Sequence, residues 1–93
     1  MSKAKAEKLA KQLGGTLQVD KPVGGGIDVI LVAPDGHIWD GMGGCSYLCL
    51  GSHNKYDVQV SGMTRANFWA AAVEELGMLI EDGVHPVEAN DVE

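Results

Sequence analysis

The side chains with the greatest capacity for chemistry lie between His37 and His53. This stretch, HIWDGMGGCSYLCLGSH, holds both cysteines of the chain, Cys45 and Cys49, and two of its three histidines. Two cysteines and two histidines are the ligands of many zinc sites. A cysteine beside a histidine can also form a thiolate nucleophile. The segment is therefore a candidate metal site, a candidate cysteine-based catalytic centre, or a piece of β-sheet.

The spacing of these residues argues against a metal site. Cys45, Cys49 and His53 follow the pattern C-x3-C-x3-H. In an extended strand the Cα atoms of the two cysteines would lie about 13 Å apart, at ~3.3 Å per residue, and a zinc ion with bonds of ~2.3 Å cannot reach both sulfurs. A disulfide needs Cα atoms within about 7 Å, so both thiols are predicted to be reduced. We predict no metal ligand and no cofactor.

The residues around the cysteines do not indicate a catalytic centre either. A thiolate nucleophile needs an adjacent base and an orienting group, which His37, His53, Asp35 or Asp40 could supply. No recognised local signature surrounds either cysteine, and free cysteines usually pack as small hydrophobic side chains. The sequence therefore predicts no catalytic residue. A small enzyme or ligand-binding protein that uses the His37–His53 segment is the alternative.

A glycine-rich segment, VGGGID at residues 23–28, has the composition of a phosphate-binding loop. Such a loop depends on the N-terminus of a helix that follows it. Here the glycines precede the apolar, β-branched run from Ile27 to Ala33, which predicts a strand. The segment is therefore predicted to be a loop between strands, and no cofactor-binding residue is expected.

Composition and charge restrict the class of protein. The 93 residues suit one domain, and a content of 45% hydrophobic and 22% charged residues is typical of a globular chain. The net charge of −6 argues against direct binding of nucleic acid. No apolar run reaches the roughly 20 residues of a membrane span, and the N-terminus lacks the apolar core of a secretory signal. We expect a cytoplasmic protein without membrane contact.

Two segments have helical periodicity. The first has apolar residues at helical spacing and ends at two glycines: Ala6, Leu9, Ala10, Leu13, Gly14 and Gly15. The second begins at Thr64 as N-cap, ends near Gly83, and carries an apolar stripe from Phe68 to Ile80. Gly77 lies inside this helix, where glycine costs ~1 kcal/mol relative to alanine, so we expect a close packing contact there.

The segments between these helices have the pattern of strands. In each of them apolar residues alternate with polar ones or form a continuous run, and turn residues separate the segments. In YDVQV, the last of them, alternation predicts that Tyr56, Val58 and Val60 point inward. The predicted strands are residues 16–20, 27–33, 37–40, 45–50 and 56–60.

The element order is α-β-β-β-β-α, with residues 37–40 and 45–50 counted as one interrupted strand or two. This order predicts an α+β fold of two layers, in which an antiparallel sheet of three to five strands carries the N-terminal and C-terminal helices on one face. Residues 1–83 form the single predicted domain. Residues 84–93 form an acidic C-terminal tail, which we expect to be extended and mobile.

Two helices can cover only one face of this sheet, yet its central strands are apolar on both faces. Side chains alternate along a strand, so Cys45, Tyr47 and Cys49 share one face. Trp39 joins them if the chain forms a hairpin. An exposed apolar patch usually marks an interface, and twofold dimers are the commonest closed assembly. These four residues are the predicted oligomer or partner surface.

The sequence therefore predicts a small non-enzymatic accessory or interaction protein that acts through protein–protein contacts. Its partner is a second copy, which gives a homodimer, or another protein. Compact acidic domains of this kind are common among small bacterial and phage accessory proteins.

Overall fold

The computed structural model describes residues 2–89 and shows an α+β fold with three helices and two antiparallel sheets, one of three strands and one of two. The element order is α-β-β-β-β-α-α-β, in which a helix replaces the last predicted strand and a further strand follows the C-terminal helix. Among the described helices, none is long and apolar enough to cross a lipid bilayer. The elements are α1 (Ser2–Leu13), β1 (Thr16–Asp20), β2 (Ile27–Val32), β3 (His37–Trp39), β4 (Tyr47–His53), α2 (Lys55–Ser61), α3 (Arg65–Glu81) and β5 (Pro86–Glu88).

The larger sheet has the strand order β1-β2-β4, with both pairs antiparallel. β1 pairs with β2 in regular register, from Thr16 opposite Val32 to Asp20 opposite Asp28. β2 is therefore the central strand, as its continuous apolar sequence predicts. Residues directly opposite each other in an antiparallel pair project to the same face, so this register also fixes which side chains share a face.

The pairing of β2 with β4 contains a bulge. Cys49 lies opposite Ile30, whereas Gly51 lies opposite Val29, so Leu50 is the extra residue on β4. A bulge places two residues opposite one and thereby reverses the alternation of side chains beyond it. Before the bulge, Tyr47 and Cys49 therefore lie on the face of the sheet opposite Ile27, Val29 and Leu31. Beyond the bulge, His53 lies on the same face as those three residues, which a regular strand would not allow.

The core lies between the two long helices and one face of β2. Ile27, Val29 and Leu31 on that face are at most 5% exposed, while the alternate residues of β2 are half-buried. α1 and α3 contact each other, and they also contact β1 and β4 respectively. The buried helical residues all belong to the predicted apolar stripes: Ala6, Ala10 and Leu13 of α1, and Phe68, Trp69, Ala72 and Leu76 of α3.

The ends of α3 follow from local capping. Thr64 is the N-cap, as predicted, and its Oγ1 accepts a hydrogen bond from the Asn67 backbone N–H at 3.1 Å. Gly83 follows the last turn with φ of 75°, a conformation that costs glycine little. Both ends of this helix were therefore set by residues visible in the sequence.

The prediction of a strand at residues 56–60 is wrong, because this segment is part of the helix α2. Asn54 is its N-cap: the side-chain Oδ1 accepts hydrogen bonds from the backbone N–H groups of Tyr56 (2.8 Å) and Asp57 (3.1 Å). The Asp57 carboxylate in turn accepts from the Asn54 N–H at 2.8 Å, which completes a capping box. Gly62 ends the helix with φ of 74°. These caps determine the local structure over a segment whose alternation spans only five residues.

The side chains of α2 also differ from the prediction. Tyr56, Val58 and Val60 were expected to point inward, but their exposed fractions are 66%, 45% and 66%. No residue of α2 is buried. The helix therefore lies on the surface of the fold and does not contribute to its core.

The segment after α3 is extended, as predicted, and it forms the strand β5. β5 pairs antiparallel with β3, with Trp39 opposite Pro86 and His37 opposite Glu88. The acidic residues Asp91 and Glu93 of the predicted tail lie outside the described residues. The domain boundary at residue 83 and the mobility of the tail remain predictions.

The glycine that makes a close contact is Gly15, not Gly77. A β-carbon at Gly77 would meet no atom within 4 Å, so the predicted packing contact there is wrong. A β-carbon at Gly15 would lie 2.7 Å from Cζ2 and Cη2 of Trp39 and 2.8 Å from the carbonyl oxygen of Val32. The turn after α1 thus requires glycine because the indole ring passes against the backbone.

We predict opposite effects for alanine at these two glycines. Gly15→Ala should lower the free energy of unfolding by about 1–3 kcal/mol, because the added methyl group overpacks the site. Gly77→Ala should raise it by up to ~1 kcal/mol, because alanine is the better helix former and the space is open. Urea unfolding followed by tryptophan fluorescence measures both changes. Equal effects of the two substitutions would contradict the assigned contact.

Candidate functional site

The four residues that could form a zinc site or a cysteine centre do not come together. Cys49 lies on the face of the sheet opposite the core, where it is exposed, whereas His53 is 3% exposed on the core side. Their spacing of four residues would put them on one face of a regular strand, but the bulge reverses the alternation between them. Cys45 is exposed and lies before β4, and His37 lies on β3. Within residues 2–89, no group of three or more histidine, cysteine or acidic side chains is arranged to hold a metal ion.

His53 serves as a structural link between β4 and the start of α3. Its Nε2 lies 2.6 Å from the Met63 carbonyl oxygen, which can only accept, so Nε2 carries the proton. Nδ1 then accepts a hydrogen bond from the Arg65 Nε–H at 3.3 Å. The ring also packs against Phe68, with 5.7 Å between ring centroids. Both ring nitrogens are therefore occupied, and neither is available to act as a base.

The other two histidines make local contacts. The Nδ1 of His37 donates to the carbonyl oxygen of Asp35 at 3.0 Å. The Nε2 of His85 lies 4.0 Å from a carboxylate oxygen of Asp40, with both side chains more than half exposed. Exposed pairs of this kind contribute little to stability. In the part of the chain that the structure describes, no histidine hydrogen-bonds to a cysteine sulfur, so no thiolate and base form a pair.

Trp39 does not belong to the predicted partner surface. Its side chain is fully buried, and its indole N–H donates to the Leu31 carbonyl oxygen at 3.3 Å. The hairpin that would have placed this ring beside Tyr47 does not form, because β3 pairs with β5 rather than with β4. The backbone N–H of Trp39 instead donates to the carbonyl oxygen of Cys45 at 2.9 Å. Trp39 is therefore a core residue.

The other three predicted residues are exposed, and two of them lie on a sheet face opposite the core. We name this the outer sheet face. Its three cross-strand rows are Thr16–Val32–Tyr47, Gln18–Ile30–Cys49 and Asp20–Asp28–Ser52.

The outer sheet face is apolar at one end and acidic at the other. Tyr47 is 53% exposed, and Cys49 is exposed beside the half-buried Ile30 and Val32. Cys45 lies two residues before the start of β4 and is also exposed. Four apolar or weakly polar side chains thus remain in contact with solvent on a face that α1 and α3 do not cover.

A second exposed apolar region was not found by the sequence analysis. We name it the α2 surface, and it consists of Val23, Tyr56, Val58, Val60 and Met63, with exposed fractions between 39% and 107%.

The β1–β2 loop, which carries Val23, adjoins the start of α2. A β-carbon at Gly26 would lie 2.7 Å from Cβ of Asn54. The sequence feature that indicates the helix α2 is its capping pattern. Asn54 is followed three residues later by Asp57 and eight residues later by Gly62. Read as a helix, this segment has no apolar stripe wide enough to be core.

A shallow pocket of about 340 Å³ separates the starts of α1 and α3. It is lined by Ser2, Lys3, Arg65, Ala66 and Trp69. The Lys3 ammonium lies 5.8 Å from the centroid of the Trp69 ring, which is within range of a cation–π contact. The Arg65 Nε–H donates to His53 Nδ1, which ties this side of the pocket to the end of β4.

We predict that His53 matters for stability. His53→Ala removes two hydrogen bonds and leaves the Met63 carbonyl and the Arg65 guanidinium without their partner, so the free energy of unfolding should fall by about 2–3 kcal/mol. His85→Ala, at an exposed histidine, is the matched control and should change it by less than about 0.5 kcal/mol. Urea unfolding measures both. If the two variants are equally stable, His53 does not link β4 to α3.

No protein-family model, no curated protein and no solved structure matches this chain. A function must therefore be inferred from the chemistry of the described side chains. Their most distinctive features are two solvent-exposed apolar regions, the outer sheet face and the α2 surface.

Proposed function

We propose that the protein is a small non-enzymatic interaction protein that acts through protein–protein contacts, and that a second copy binds its outer sheet face. The observation that carries this proposal is the exposure of Tyr47, at 53%, beside Cys49, Ile30 and Val32 on the face opposite the helices. Antiparallel sheets usually present polar side chains on a face that meets solvent. Apolar side chains on such a face favour a protein partner.

The scattered positions of the reactive side chains support this proposal over the enzymatic alternative. Catalysis by a cysteine requires a base within hydrogen-bonding reach. His53 is buried with both ring nitrogens engaged, and Cys49 is on the other side of the sheet. An enzyme or ligand-binding site in the His37–His53 segment would need these groups to converge.

The exposed thiols also support a cytoplasmic location, which we include in the proposal. Cys45 and Cys49 are both free and both exposed. In an oxidising compartment, exposed thiols form disulfides with other chains, whereas the cytosol keeps them reduced.

The size of the outer sheet face sets the expected strength of self-association. Three strands at ~4.8 Å spacing, paired over about five residues of ~3.4 Å, span roughly 250 Å². Stable interfaces bury about 800 Å² on each partner. A dimer held by this face alone is therefore of the weak, transient class, and the loops at its margins would have to contribute to make it stable.

We predict that Tyr47→Glu weakens self-association roughly tenfold or more, because the carboxylate would be buried without a partner. Gln12→Glu adds the same charge at an exposed position of α1 and should have little effect. Sedimentation equilibrium from micromolar to millimolar protein measures both, relative to the 9.8 kDa monomer. Circular dichroism confirms that each variant is folded.

Two results would refute a dimer through this face. One is a mass that stays at 9.8 kDa up to millimolar protein. The other is an equal association constant for Tyr47→Glu and Gln12→Glu.

A further inference from the structure

We infer that the α2 surface binds the α2 surface of a second copy, and that this contact is the main self-association interface of the protein. The inference deepens the proposed function and rests on its protein–protein role. It depends, however, on a different surface from the outer sheet face. The two can therefore be tested separately.

The first observation is the concentration of exposed apolar side chains. Among residues 2–89, seven large hydrophobic side chains are exposed, and five of them form the α2 surface. The remaining two, Tyr47 and Met78, lie on β4 and α3. The largest exposed apolar region of a protein is often functional, while single exposed side chains are ordinary.

The second observation is that α2 lacks packing partners within its own chain. It has seven residues and none of them is buried. Isolated helices shorter than about 12 residues are marginal in water, because the first turn is costly to form. The caps at Asn54 and Gly62 stabilise its ends, each by roughly 1 kcal/mol. Packing against another molecule would bury the apolar side chains of α2, which the core of this chain does not bury.

Two of its apolar side chains share one side of the helix. Tyr56 and Val60 are four residues apart, so they project from the same side, one turn from each other. Met63 follows directly after the Gly62 cap. A pair of short helices related by a twofold axis can bury such side chains against each other, since an isologous interface presents the same patch twice.

The third observation is area. Val58 is left out, because residues two apart on a helix do not share a side and Val58 projects away from Tyr56 and Val60. Exposed fractions of 39% to 107% on the other four side chains, of roughly 120–200 Å² each, give an apolar area on the order of 350–400 Å². A standard interface needs about 800 Å² on each partner, of which roughly 55–65% is apolar. The α2 surface therefore supplies most of the apolar area that one side of a standard interface needs. The outer sheet face has one exposed large hydrophobic side chain, Tyr47, and supplies less.

The fourth observation is charge, and it favours a second copy as the occupant. Residues 20–28 and 52–65, the two segments that carry the α2 surface, contain three acidic and three basic residues, so these segments together are neutral. The rest of the chain, with ten acidic and four basic residues, carries the whole net charge of −6. Two copies repel each other least when they meet through their neutral regions. An anionic membrane would gain no net attraction from this region.

The test compares two substitutions that place a carboxylate on similarly exposed apolar positions. Val60→Glu lies on the α2 surface, and Met78→Glu lies on α3, with exposed fractions of 66% and 62% in the wild type. Because an unpaired buried charge is costly, Val60→Glu should raise the dissociation constant of the dimer by roughly 100-fold. Met78→Glu should leave it unchanged. Light scattering measures the loss of the dimer. The protein concentration is one at which the wild type has twice the 9.8 kDa monomer mass.

Hydrogen exchange provides a measurement on the unmodified protein. Backbone amides of α2 should exchange more slowly as the wild-type concentration is raised through the dimerisation range. In Val60→Glu they should exchange rapidly at every concentration. Fast exchange of α2 in the wild-type dimer would overturn the inference even if the variant failed to fold.

The remaining outcomes separate the two surfaces. If Val60→Glu dissociates the dimer and Tyr47→Glu does not, the inference holds and the outer sheet face is not an interface. If only Tyr47→Glu dissociates it, or if the wild type stays at 9.8 kDa, the inference is overturned. Equal dissociation by Met78→Glu would also overturn it. The inference would also be overturned if the wild type stays monomeric and binds phosphatidylcholine–phosphatidylserine vesicles while Val60→Glu does not. That result would identify a lipid surface as the partner of the α2 surface.

Discussion

Burial of the Trp39 indole is the interaction that connects the parts of this fold. The ring is completely buried, its N–H donates to the Leu31 carbonyl oxygen of the central strand, and it passes against the backbone of Gly15 after α1. An aromatic side chain of this size buries on the order of 200 Å², which corresponds to about 5 kcal/mol at ~25 cal/mol per Å². One side chain on the short strand β3 thus joins the two-stranded sheet, the three-stranded sheet and the turn after α1.

The hydrophobic core lies on only one face of the larger sheet. α1 and α3 lie together and share the core with Ile27, Val29 and Leu31, so the burial of apolar area is concentrated on one face of β2. The opposite face retains Ile30 and Val32 in a strand whose neighbours on β4 include an exposed tyrosine. The buried core residues and the partly exposed apolar residues are alternate residues of one strand, because successive side chains point to opposite faces.

Between β4 and α3 the chain is held by hydrogen bonds more than by apolar burial. The Asn54–Asp57 capping box begins α2, and His53 holds the Met63 carbonyl and the Arg65 guanidinium where the chain turns into α3. These polar contacts fix the position of α2 without burying its side chains. The result is a capped helix whose apolar residues are exposed, and it differs from a surface loop because its backbone is regular.

The sequence by itself determined both long helices, the three strands of the larger sheet in outline, and the placement of Tyr47 and Cys49 on one face. These features depend on periodicity and on caps such as Thr64, which act within a few residues along the chain. Alternation over YDVQV was misleading because five residues fit a strand or a short helix, and the deciding signals were the flanking Asn54 and Gly62.

Only the tertiary structure decided the rest. Trp39 became a core residue because β3 pairs with β5, a contact between segments far apart in the chain that no local pattern encodes. Cys49 and His53 were separated because the bulge at Leu50 reverses the faces of β4, and a bulge exists only in the register of two paired strands. The sequence therefore specified the elements from local interactions, whereas strand pairing decided which reactive side chains meet.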